Sequence, residues 1–185
     1  MSTSPRKTRH AWNELGHAHF LTYSCFQRLP LLSKDRSRLW VVEAMEHTRR
    51  KLEVAIYAFV IMPEHVHVVL MPRLPDSRIE TILASLKRGV AKEARAHLQA
   101  TGDNAWIDRL TVRQPKRSVF RFWQAGGGYD HNIWKEHTLY EVIDYIHANP
   151  VRRGLADTPE QWYWSSACFW AEGDCAPMAM DPIDL

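Results

Sequence analysis

The sequence predicts an α+β fold built on an antiparallel sheet. Three observations lead to this prediction: short runs rich in aromatic and β-branched residues, longer segments with apolar residues at helical spacing, and a very short connection between two of the runs. In chain order they give strand, helix, strand, strand, helix, strand, helix. That order is typical of the ferredoxin-like split βαβ arrangement, here with an added C-terminal helix.

The first half of the chain supplies a helix and three strands of this pattern. Residues 19–25, H-F-L-T-Y-S-C, form a strand candidate, and a helix is predicted from about residue 35 to residue 51. Residues 54–62 are an almost continuous apolar run, typical of a central strand buried on both faces. Only residues 63–64 separate that run from residues 65–71, so the two strands should form an antiparallel hairpin.

The segment after the hairpin is predicted to hold a helix, a loop and a strand. Ser77 with Glu80 fits the capping box, in which each side chain covers an otherwise orphaned backbone N–H at the start of a helix. Apolar residues then recur at helical spacing as far as Leu98. We expect a loop at residues 101–117, followed by the fourth strand near residues 119–123.

A final strong helix carries the same kind of start signal, with Thr138 and Glu141 as the capping pair. It should run to about Asn149, because Pro150 disfavours the helical conformation in the residue before it. The aromatic-rich segment after Gly154 is expected to pack back on the domain as an irregular cap.

Composition excludes several classes of protein. At 185 residues the chain is long enough for one domain with its own core, and no apolar run approaches the roughly 18–20 residues that span a bilayer. The first residues lack an apolar stretch after their basic ones, so no secretory signal is predicted. Three cysteines without a C-x-x-C pair, Cys25, Cys168 and Cys175, indicate reduced thiols in a cytoplasmic protein.

The charge distribution is more basic than the net charge of +3 indicates. Residues 171–185 hold four acidic side chains and no Lys or Arg, which leaves about +7 on the rest of the chain. We expect a basic arm at residues 1–16, one folded domain at 17–170 and an acidic tail at 171–185. The basic clusters suit a partner with a phosphate backbone, although solvated helix faces would explain them equally well.

His65 and His67 are the first candidates for chemistry. Residues two apart on a strand point to the same face, so the two imidazoles should lie side by side, and imidazole is a common ligand of divalent metals. The pattern alone is weak, because ten histidines in this length produce such pairs by chance, and His17 with His19 forms a second one. Taken alone, the motif fits a metal site or a pair of core histidines.

Tyr145 and Asn149 are the second candidate pair. They are four residues apart and so share one face of the predicted last helix. A tyrosine hydroxyl can act as a covalent nucleophile, and an asparagine amide oxygen is a suitable ligand for Mg²⁺ or Mn²⁺. A packed helix tyrosine and a helix-terminal asparagine would explain the same residues structurally. His147 should face away from Tyr145, in a structural or DNA-contacting role.

Two segments in this order resemble the HUH-type single-tyrosine transposases. They are residues 62–67, M-P-E-H-V-H, and residues 145–155, Y-I-H-A-N-P-V-R-R-G-L. The chain is most similar to the REP-associated tyrosine transposase branch, which residues 122–124, F-W-Q, and residues 162–166, W-Y-W-S-S, also match. The resemblance spans roughly residues 17 to 170, and the glycine run that precedes Tyr129 departs from the pattern usual in this branch.

The resemblance implies a site and a reaction. His65 and His67 would be metal ligands, Asn149 would complete the metal shell, and Tyr145 would be the nucleophile that forms a 5′-phosphotyrosine. The metal would be Mg²⁺ or Mn²⁺, and the substrate would be single-stranded DNA carrying hairpins from palindromic repeats. A monomer acting in cis is implied, with a homodimer as the alternative. The residues expected to contact the DNA are Arg6, Lys7, Arg9, Lys87, Arg88, Lys92, Arg152 and Arg153.

Three functions fit these residues. The first is a metal-dependent single-strand DNA endonuclease and strand transferase, and the second is a domesticated hairpin-binding protein without transposition activity. The third is an unrelated metallohydrolase that uses His65 and His67 without a covalent step. The third is disfavoured because the string E-H-V-H lacks the helical i,i+4 histidines of a zincin.

Overall fold

The computed structural model describes residues 16–173 and 175–184. Three strands and one helix come first among the described residues, and later helices pack on both faces of the main sheet. In chain order the elements are β1 (Ala18–Ser24), α1 (Asp35–Leu52), β2 (Val54–Ile61), β3 (His65–Pro72), α2 (Ile79–Ala100), α3 (Asn104–Arg109), β4 (Thr111–Gln114), β5 (Arg117–Phe120), β6 (Tyr129–Ile133), α4 (Glu136–His147), α5 (Asn149–Arg152) and α6 (Ala167–Glu172).

The main sheet has four strands in the order β2-β3-β1-β6, and each neighbouring pair is antiparallel. β1 and β2 therefore run in the same direction with β3 between them, which is the geometry of a split βαβ unit. The predicted α+β class and the predicted antiparallel sheet are confirmed. The short link from Ile61 to His65 makes the expected hairpin between β2 and β3.

β2 is an edge strand of the sheet, so its predicted central position is wrong. All eight of its residues are nevertheless buried, because segments from the C-terminal part of the chain cover its free edge. Ile61 N–H donates to the Trp164 carbonyl at 2.8 Å, and the Asp181 N–H donates to the Ile56 carbonyl at 2.9 Å. These bonds satisfy backbone groups that an uncovered edge would expose, and they explain why an edge strand has an apolar sequence on both faces.

The two faces of the sheet pack against different helices. On one face, Val66, Val68 and Leu70 of β3 join the core that α1 and α2 cover. On the other face, Val69 joins a second core that α4 covers with Leu139, Ile143 and Ile146. Since residues alternate along a strand, His65 and His67 lie on the α4 face. The fold thereby brings both histidines to the helix that carries Tyr145.

Both predicted capping boxes are wrong. α2 begins at Ile79 and α4 begins at Glu136, and the preceding residues, Arg78 and Lys135, make no side-chain cap bond. Ser77 lies too early because its N–H donates to the Leu74 carbonyl in a separate turn. The other box lies too late, since α4 starts two residues before Thr138. Each helix starts after extended backbone, with its first N–H groups left to solvent or other partners.

Residues 101–133 differ from the prediction in two ways. The expected loop at 101–117 contains α3, whose start is capped by the Asp103 carboxylate accepting from Trp106 N–H at 3.3 Å, and it contains β4. The expected fourth strand near 119–123 overlaps β5, which pairs with β4 in a separate two-stranded sheet. The fourth strand of the main sheet is β6 instead. Its sequence, Y-D-H-N-I, is too polar to be recognised as a strand from apolar content alone.

The chain reaches β6 through a backbone crossing that only glycine permits. Gly128 has φ of +73°, and a Cβ at this position would lie 2.0 Å from the Thr22 carbonyl oxygen. Thr22 belongs to β1, the neighbour of β6, so the glycine lets the two strands meet closely. The unusual glycine run of the sequence therefore has a structural explanation at this residue.

The C-terminal residues are part of the folded unit. Met178 and Met180 are buried in the core on the α1 and α2 side, and Asp184 accepts from the Tyr57 hydroxyl at 2.9 Å. Cys168 and Cys175 form a disulfide, while Cys25 is free and buried. The expectation of three reduced thiols is therefore wrong for Cys168 and Cys175, because folding brings α6 beside the segment after it. Among the described residues, no helix is long and apolar enough to cross a membrane.

Candidate metal centre and nucleophile

His65 and His67 lie side by side on β3, as the strand period predicts. Their Nε2 atoms are 3.1 Å apart and the ring centroids are 4.7 Å apart. Both residues are buried, with 8% and 6% of their surface exposed. Metal–nitrogen bonds of about 2.1 Å allow two ligand nitrogens at this spacing to share one ion.

Each imidazole is held from behind through its Nδ1 atom. His65 Nδ1 lies 3.1 Å from a Glu64 carboxylate oxygen, and His67 Nδ1 lies 2.7 Å from the Thr22 hydroxyl. A carboxylate only accepts, so His65 Nδ1 carries the hydrogen and its Nε2 carries the lone pair. The Thr22 hydroxyl can accept from His67 in the same way. Outer partners of this kind orient metal-binding histidines and fix their tautomers.

The environment keeps both histidines neutral. Burial, together with the charges of His65 and Arg152, lowers the pKa of His67 to about 3. Burial also lowers the pKa of His65, although the neighbouring Glu64 carboxylate partly opposes this. Neutral imidazole is the form that binds metals. Both imidazoles are therefore in the form that could bind an ion at neutral pH without the loss of a proton.

Glu64 is itself anchored by a cation. Its carboxylate accepts from Arg153 Nη1 at 2.8 Å, as well as from His65. Burial by itself would raise the pKa of Glu64, but the hydrogen bonds and charges of Arg153 and His65 outweigh it and lower the pKa. Glu64 is thus an ionised, buried acceptor that connects Arg153, the C-cap of α5, with the start of β3 where His65 lies.

Tyr145 lies beside the histidine pair, near the end of α4. Its ring centroid is 6.3 Å from that of His67 and 6.2 Å from that of Phe20, each in an edge-on arrangement. The residue is 47% exposed, so part of its side chain is open to solvent. The structure therefore brings the predicted nucleophile next to one of the two predicted metal ligands.

Asn149 does not share a helix with Tyr145. α4 ends at His147, and Asn149 is the first residue of α5, so the predicted helix is two residues too long. The Asn149 amide nitrogen donates to the Tyr145 and Ile146 carbonyls at 3.1 and 3.3 Å. Both bonds use the amide nitrogen, whereas the amide oxygen is the atom that could bind a metal. No described contact joins Asn149 to either imidazole, so its place in the metal shell stays a prediction.

His147 has a structural role, as expected. It is buried, and its Nε2 lies 2.7 Å from the Ser166 hydroxyl. That hydroxyl accepts from the Phe59 N–H at 2.9 Å and lies 3.2 Å from the Phe59 carbonyl, to which it can donate. Burial lowers the pKa of His147 to about 4. The residue therefore fastens α4 to the segment that covers the edge of β2.

The predicted DNA contacts fall in three places. Arg6, Lys7 and Arg9 lie outside the described residues. Lys87, Arg88 and Lys92 are on α2, which covers the face of the sheet opposite His65 and His67. Lys87 also donates to the Gly126 carbonyl at 3.0 Å. Arg152 and Arg153, by contrast, reach the candidate site itself.

Thr22 is the site residue that sequence analysis missed. It became a neighbour of His67 because β1 pairs with β3 in a register that sets these two residues opposite each other. The predicted strand at 19–25 already contained Thr22, but register between distant strands cannot be read from either strand alone. Glu64 was noted only as part of a motif, and its bond to Arg153 depends on the position of α5.

A second group of possible metal ligands lies elsewhere. Cys168, Glu172 and Cys175 bring their ligand atoms within 4.8 Å of one another. The two sulfur atoms are joined in a disulfide, however, and so offer no thiolate. Within the described part of the chain, this leaves the histidine pair as the better-supported candidate.

The chain resembles known proteins in sequence and in fold. No family model matches the sequence. A Haemophilus influenzae protein provisionally named a REP-associated tyrosine transposase is 24% identical over 147 residues, which cover 74% of this chain and 76% of that protein. A solved structure of a REP-associated tyrosine transposase bound to a REP hairpin matches 100% of this chain and 95% of its own, with a TM-score of 0.64 and 22% identity.

A third likeness is weaker. A provisionally named transposase of Deinococcus radiodurans R1 covers 78% of this chain and 95% of its own, with a TM-score of 0.43 and 18% identity. That overlap is too loose to support an argument. The other solved structure supports the α+β architecture with its four-stranded antiparallel sheet, and the sequence match extends over most of the chain.

Proposed function

We propose that this chain, whose resemblance to the REP-associated tyrosine transposases is confirmed in sequence and fold, is a metal-dependent single-strand DNA endonuclease and strand transferase. One observation carries the proposal. The exposed ring of Tyr145 lies 6.3 Å from the ring of His67, whose Nε2 is 3.1 Å from that of His65. A nucleophile and a metal-binding pair are thus neighbours in one site.

The residues present suit a divalent cation. His65 and His67 offer two neutral nitrogens, and Asn149 is proposed to add an amide oxygen. Such an ion would bind a nonbridging phosphate oxygen and stabilise the charge that develops on the phosphate and the leaving oxygen. A mixed set of imidazole and oxygen ligands suits Mn²⁺ better than Mg²⁺, which prefers oxygen throughout.

Tyr145 acts as the nucleophile in the proposed reaction. Its hydroxyl oxygen attacks the scissile phosphorus, forms a new P–O bond and loses its proton. The bond from phosphorus to the 3′ oxygen breaks, and that oxygen leaves as a 3′-hydroxyl after taking up a proton. The 5′-phosphotyrosine conserves the phosphodiester, so attack by another 3′-hydroxyl reverses the step and joins two strands.

Hairpin-bearing single-stranded DNA from palindromic repeats is the proposed substrate. The solved relative is bound to a REP hairpin, and an exposed aromatic side chain of this chain lies beside the site. Tyr129 of β6 is 54% exposed and meets the Phe20 ring edge-on at 5.7 Å. Since Phe20 also contacts Tyr145, a base stacked on Tyr129 would lie near the nucleophile.

The site is proposed to work in cis, in a monomer. Tyr145, His65 and His67 converge within one chain. A dimer that exchanges α4 between protomers is the alternative. Mixing a Tyr145→Phe protein with a His67→Ala protein distinguishes the two, because only an exchanged arrangement restores cleavage in the mixture.

The proposal is tested by covalent capture. Protein is incubated with end-labelled, hairpin-bearing single-stranded DNA and Mn²⁺ or Mg²⁺, then denatured and separated by mass. We expect a protein–DNA adduct that is absent from Tyr145→Phe and present in the matched control Tyr140→Phe. Tyr140 lies on the same helix and is 41% exposed. Tight binding without an adduct would indicate a domesticated hairpin-binding protein, and cleavage that survives Tyr145→Phe would refute the tyrosine mechanism.

A further inference from the structure

Two adjacent arginines at the end of α5 reach opposite halves of the candidate site. Arg153 donates to Glu64 at 2.8 Å, and Glu64 holds His65. Arg152 turns the other way, and its guanidinium carbon lies 4.4 Å from the ring centroid of Tyr145. From charge alone both residues are equivalent candidates for DNA contact, but the structure engages each of them with the protein.

Arg152 holds Tyr145 by two different contacts. The guanidinium lies over the aromatic ring, well inside the roughly 6 Å at which a cation is attracted to a ring face. Its Nη2 also donates to the backbone carbonyl of Tyr145. The first contact restricts the side chain, while the second fixes the backbone from which that side chain projects.

Tyr145 has few other restraints. It lies in the last turn of α4 and is 47% exposed. The neighbouring rings of Phe20 and His67 meet the Tyr145 ring edge-on, at centroid distances above 6 Å. The arginine supplies the closest ring contact among those described for this side chain. A nucleophile must reach its target at the right distance and angle, so loss of that contact would reduce the fraction of productive geometries.

We propose that Arg152 is a positioning residue for Tyr145, and that its contribution to cleavage is orientation of the nucleophile and not attachment of the DNA. The inference rests on the proposed role of Tyr145. Arg153 has a separate task in this arrangement, since it acts on the metal-binding half through Glu64. The N-P-V-R-R segment, which is α5 and its C-cap Arg153, thus contacts both halves of the site.

The test separates binding from chemistry in Arg152→Gln. Single-turnover adduct formation is measured with the hairpin DNA above, at saturating protein and Mn²⁺. We expect the rate constant to fall by about 10- to 100-fold, with the Kd for DNA changed by less than about twofold. The rate constant of Arg152→Lys should lie between those of the wild-type protein and Arg152→Gln. An ammonium can approach the ring face, but it lacks the planar guanidinium that makes both contacts.

The salt dependence of DNA binding gives an independent readout. A side chain that contacts a phosphate contributes about one to the slope of log Kd against log salt concentration. We expect the slope of Arg152→Gln to equal that of the wild-type protein. Arg50→Gln is the matched control for loss of one positive charge, since Arg50 lies on α1 with its side chain 71% exposed. The Arg50→Gln substitution should leave both the cleavage rate and the melting temperature unchanged.

Arg153→Gln distinguishes the two halves of the site. Its cleavage should recover when Mn²⁺ is raised, because it weakens the support of His65. Arg152→Gln should not recover. An unchanged adduct rate in Arg152→Gln, rescue of that variant by Mn²⁺, or a salt slope reduced by about one would each overturn the inference while leaving the proposed function intact. Absence of any Tyr145-dependent adduct in the wild-type protein would overturn both.

Discussion

The two faces of the four-stranded sheet use the same strand for different purposes. Val66, Val68 and Leu70 of β3 are fully buried under α1 and α2, in a core made of apolar side chains. His65 and His67 are also buried, but each of them has a polar partner behind it. One face therefore stabilises the fold by excluding water, while the other keeps polar groups in place at the cost of desolvating them.

This difference teaches where function can be placed in a small domain. The α1 and α2 face can supply most of the apolar burial, which leaves the α4 face free to carry polar groups. Hydrogen bonds, in addition to packing, keep those polar groups ordered. The α4 face also carries Tyr145, which is 47% exposed. Substitutions on neighbouring residues of β3 should consequently have opposite effects.

The largest expected effect comes from His67→Ala. We expect metal-dependent cleavage to fall by more than the roughly 10- to 100-fold that loss of an outer-shell partner costs, because a ligand itself is removed. The melting temperature should change little by comparison. Single-turnover cleavage and thermal unfolding, measured on the same preparation, check this. A variant that keeps wild-type cleavage would remove His67 from the metal site.

The matched change on the other face is Leu70→Ala. Leu70 is fully buried, so the cavity should cost about 2–5 kcal/mol of unfolding free energy. Below its unfolding transition, the variant should retain cleavage and the metal requirement. Denaturant unfolding followed by cleavage assays at low temperature tests both points. If Leu70→Ala were to lose the metal requirement while folded, the two faces would not be independent.

Acid should weaken the attachment of α4 through His147. Burial lowers the pKa of this residue from 6.5 to about 4. Between pH 4 and pH 6.5, His147 therefore binds a proton more readily in the unfolded chain than in the folded protein. The stability contributed by neutral His147 is complete above pH 6.5 and is lost as the pH falls towards 4. It amounts to about 3 kcal/mol over that window.

Unfolding free energies of His147→Gln, measured from pH 7 to pH 4, isolate this contribution. The Gln amide can still donate to Ser166 but does not titrate, so the variant should lose stability less steeply with acid than the wild-type protein. His47→Gln, at an exposed position on α1, is the control and should keep the wild-type slope. Equal slopes for all three proteins would contradict the prediction.

A smaller effect is expected from Thr22→Val, which keeps the shape of the side chain and removes the hydroxyl that contacts His67 at 2.7 Å. Half-maximal cleavage should need about 10- to 100-fold more Mn²⁺. Thr81→Val, at an exposed position of α2, should need no more than the wild-type protein. An unchanged Mn²⁺ requirement in Thr22→Val would show that the strand alone orients His67.

The choice of metal should give the smallest difference. With two imidazoles in the proposed ligand set, Mn²⁺ should support cleavage at lower concentration than Mg²⁺. Titration of both ions against the initial rate of adduct formation measures this. A preference for Mg²⁺ would indicate that oxygen ligands dominate the shell and that the histidines contribute less than proposed.

Sequence analysis identified the main features of the α4 face from local patterns. The alternation of side chains along a strand placed His65 and His67 together, and the structure confirms that placement. The hairpin of β2 and β3 followed from a link too short for anything else. Tyr145 was predicted to lie on a helix, and it does, although that helix ends before Asn149. Features set by neighbours in sequence were thus predicted well.

The errors have different causes. β2 was predicted to be central because its residues are apolar, but its outer edge is covered by residues more than a hundred positions away. β6 was missed because backbone pairing with β1, and not apolar content, makes it a strand. The capping boxes failed because a turn before α2 and an early start of α4 moved the helix ends. Long-range backbone bonds decided the two strands, whereas local backbone geometry decided the helix starts.

The sequence by itself determined the class of the fold and the side-by-side placement of His65 and His67, because strand alternation and helical spacing are local properties. The candidate nucleophile, Tyr145, came from the resemblance of the sequence motifs to a known family. Only the tertiary structure decided which polar groups support that site. Thr22 reaches His67 through strand register, and Arg152 and Arg153 separate towards Tyr145 and Glu64 through the position of α5. Side chains of equal charge take different roles when packing brings them different partners.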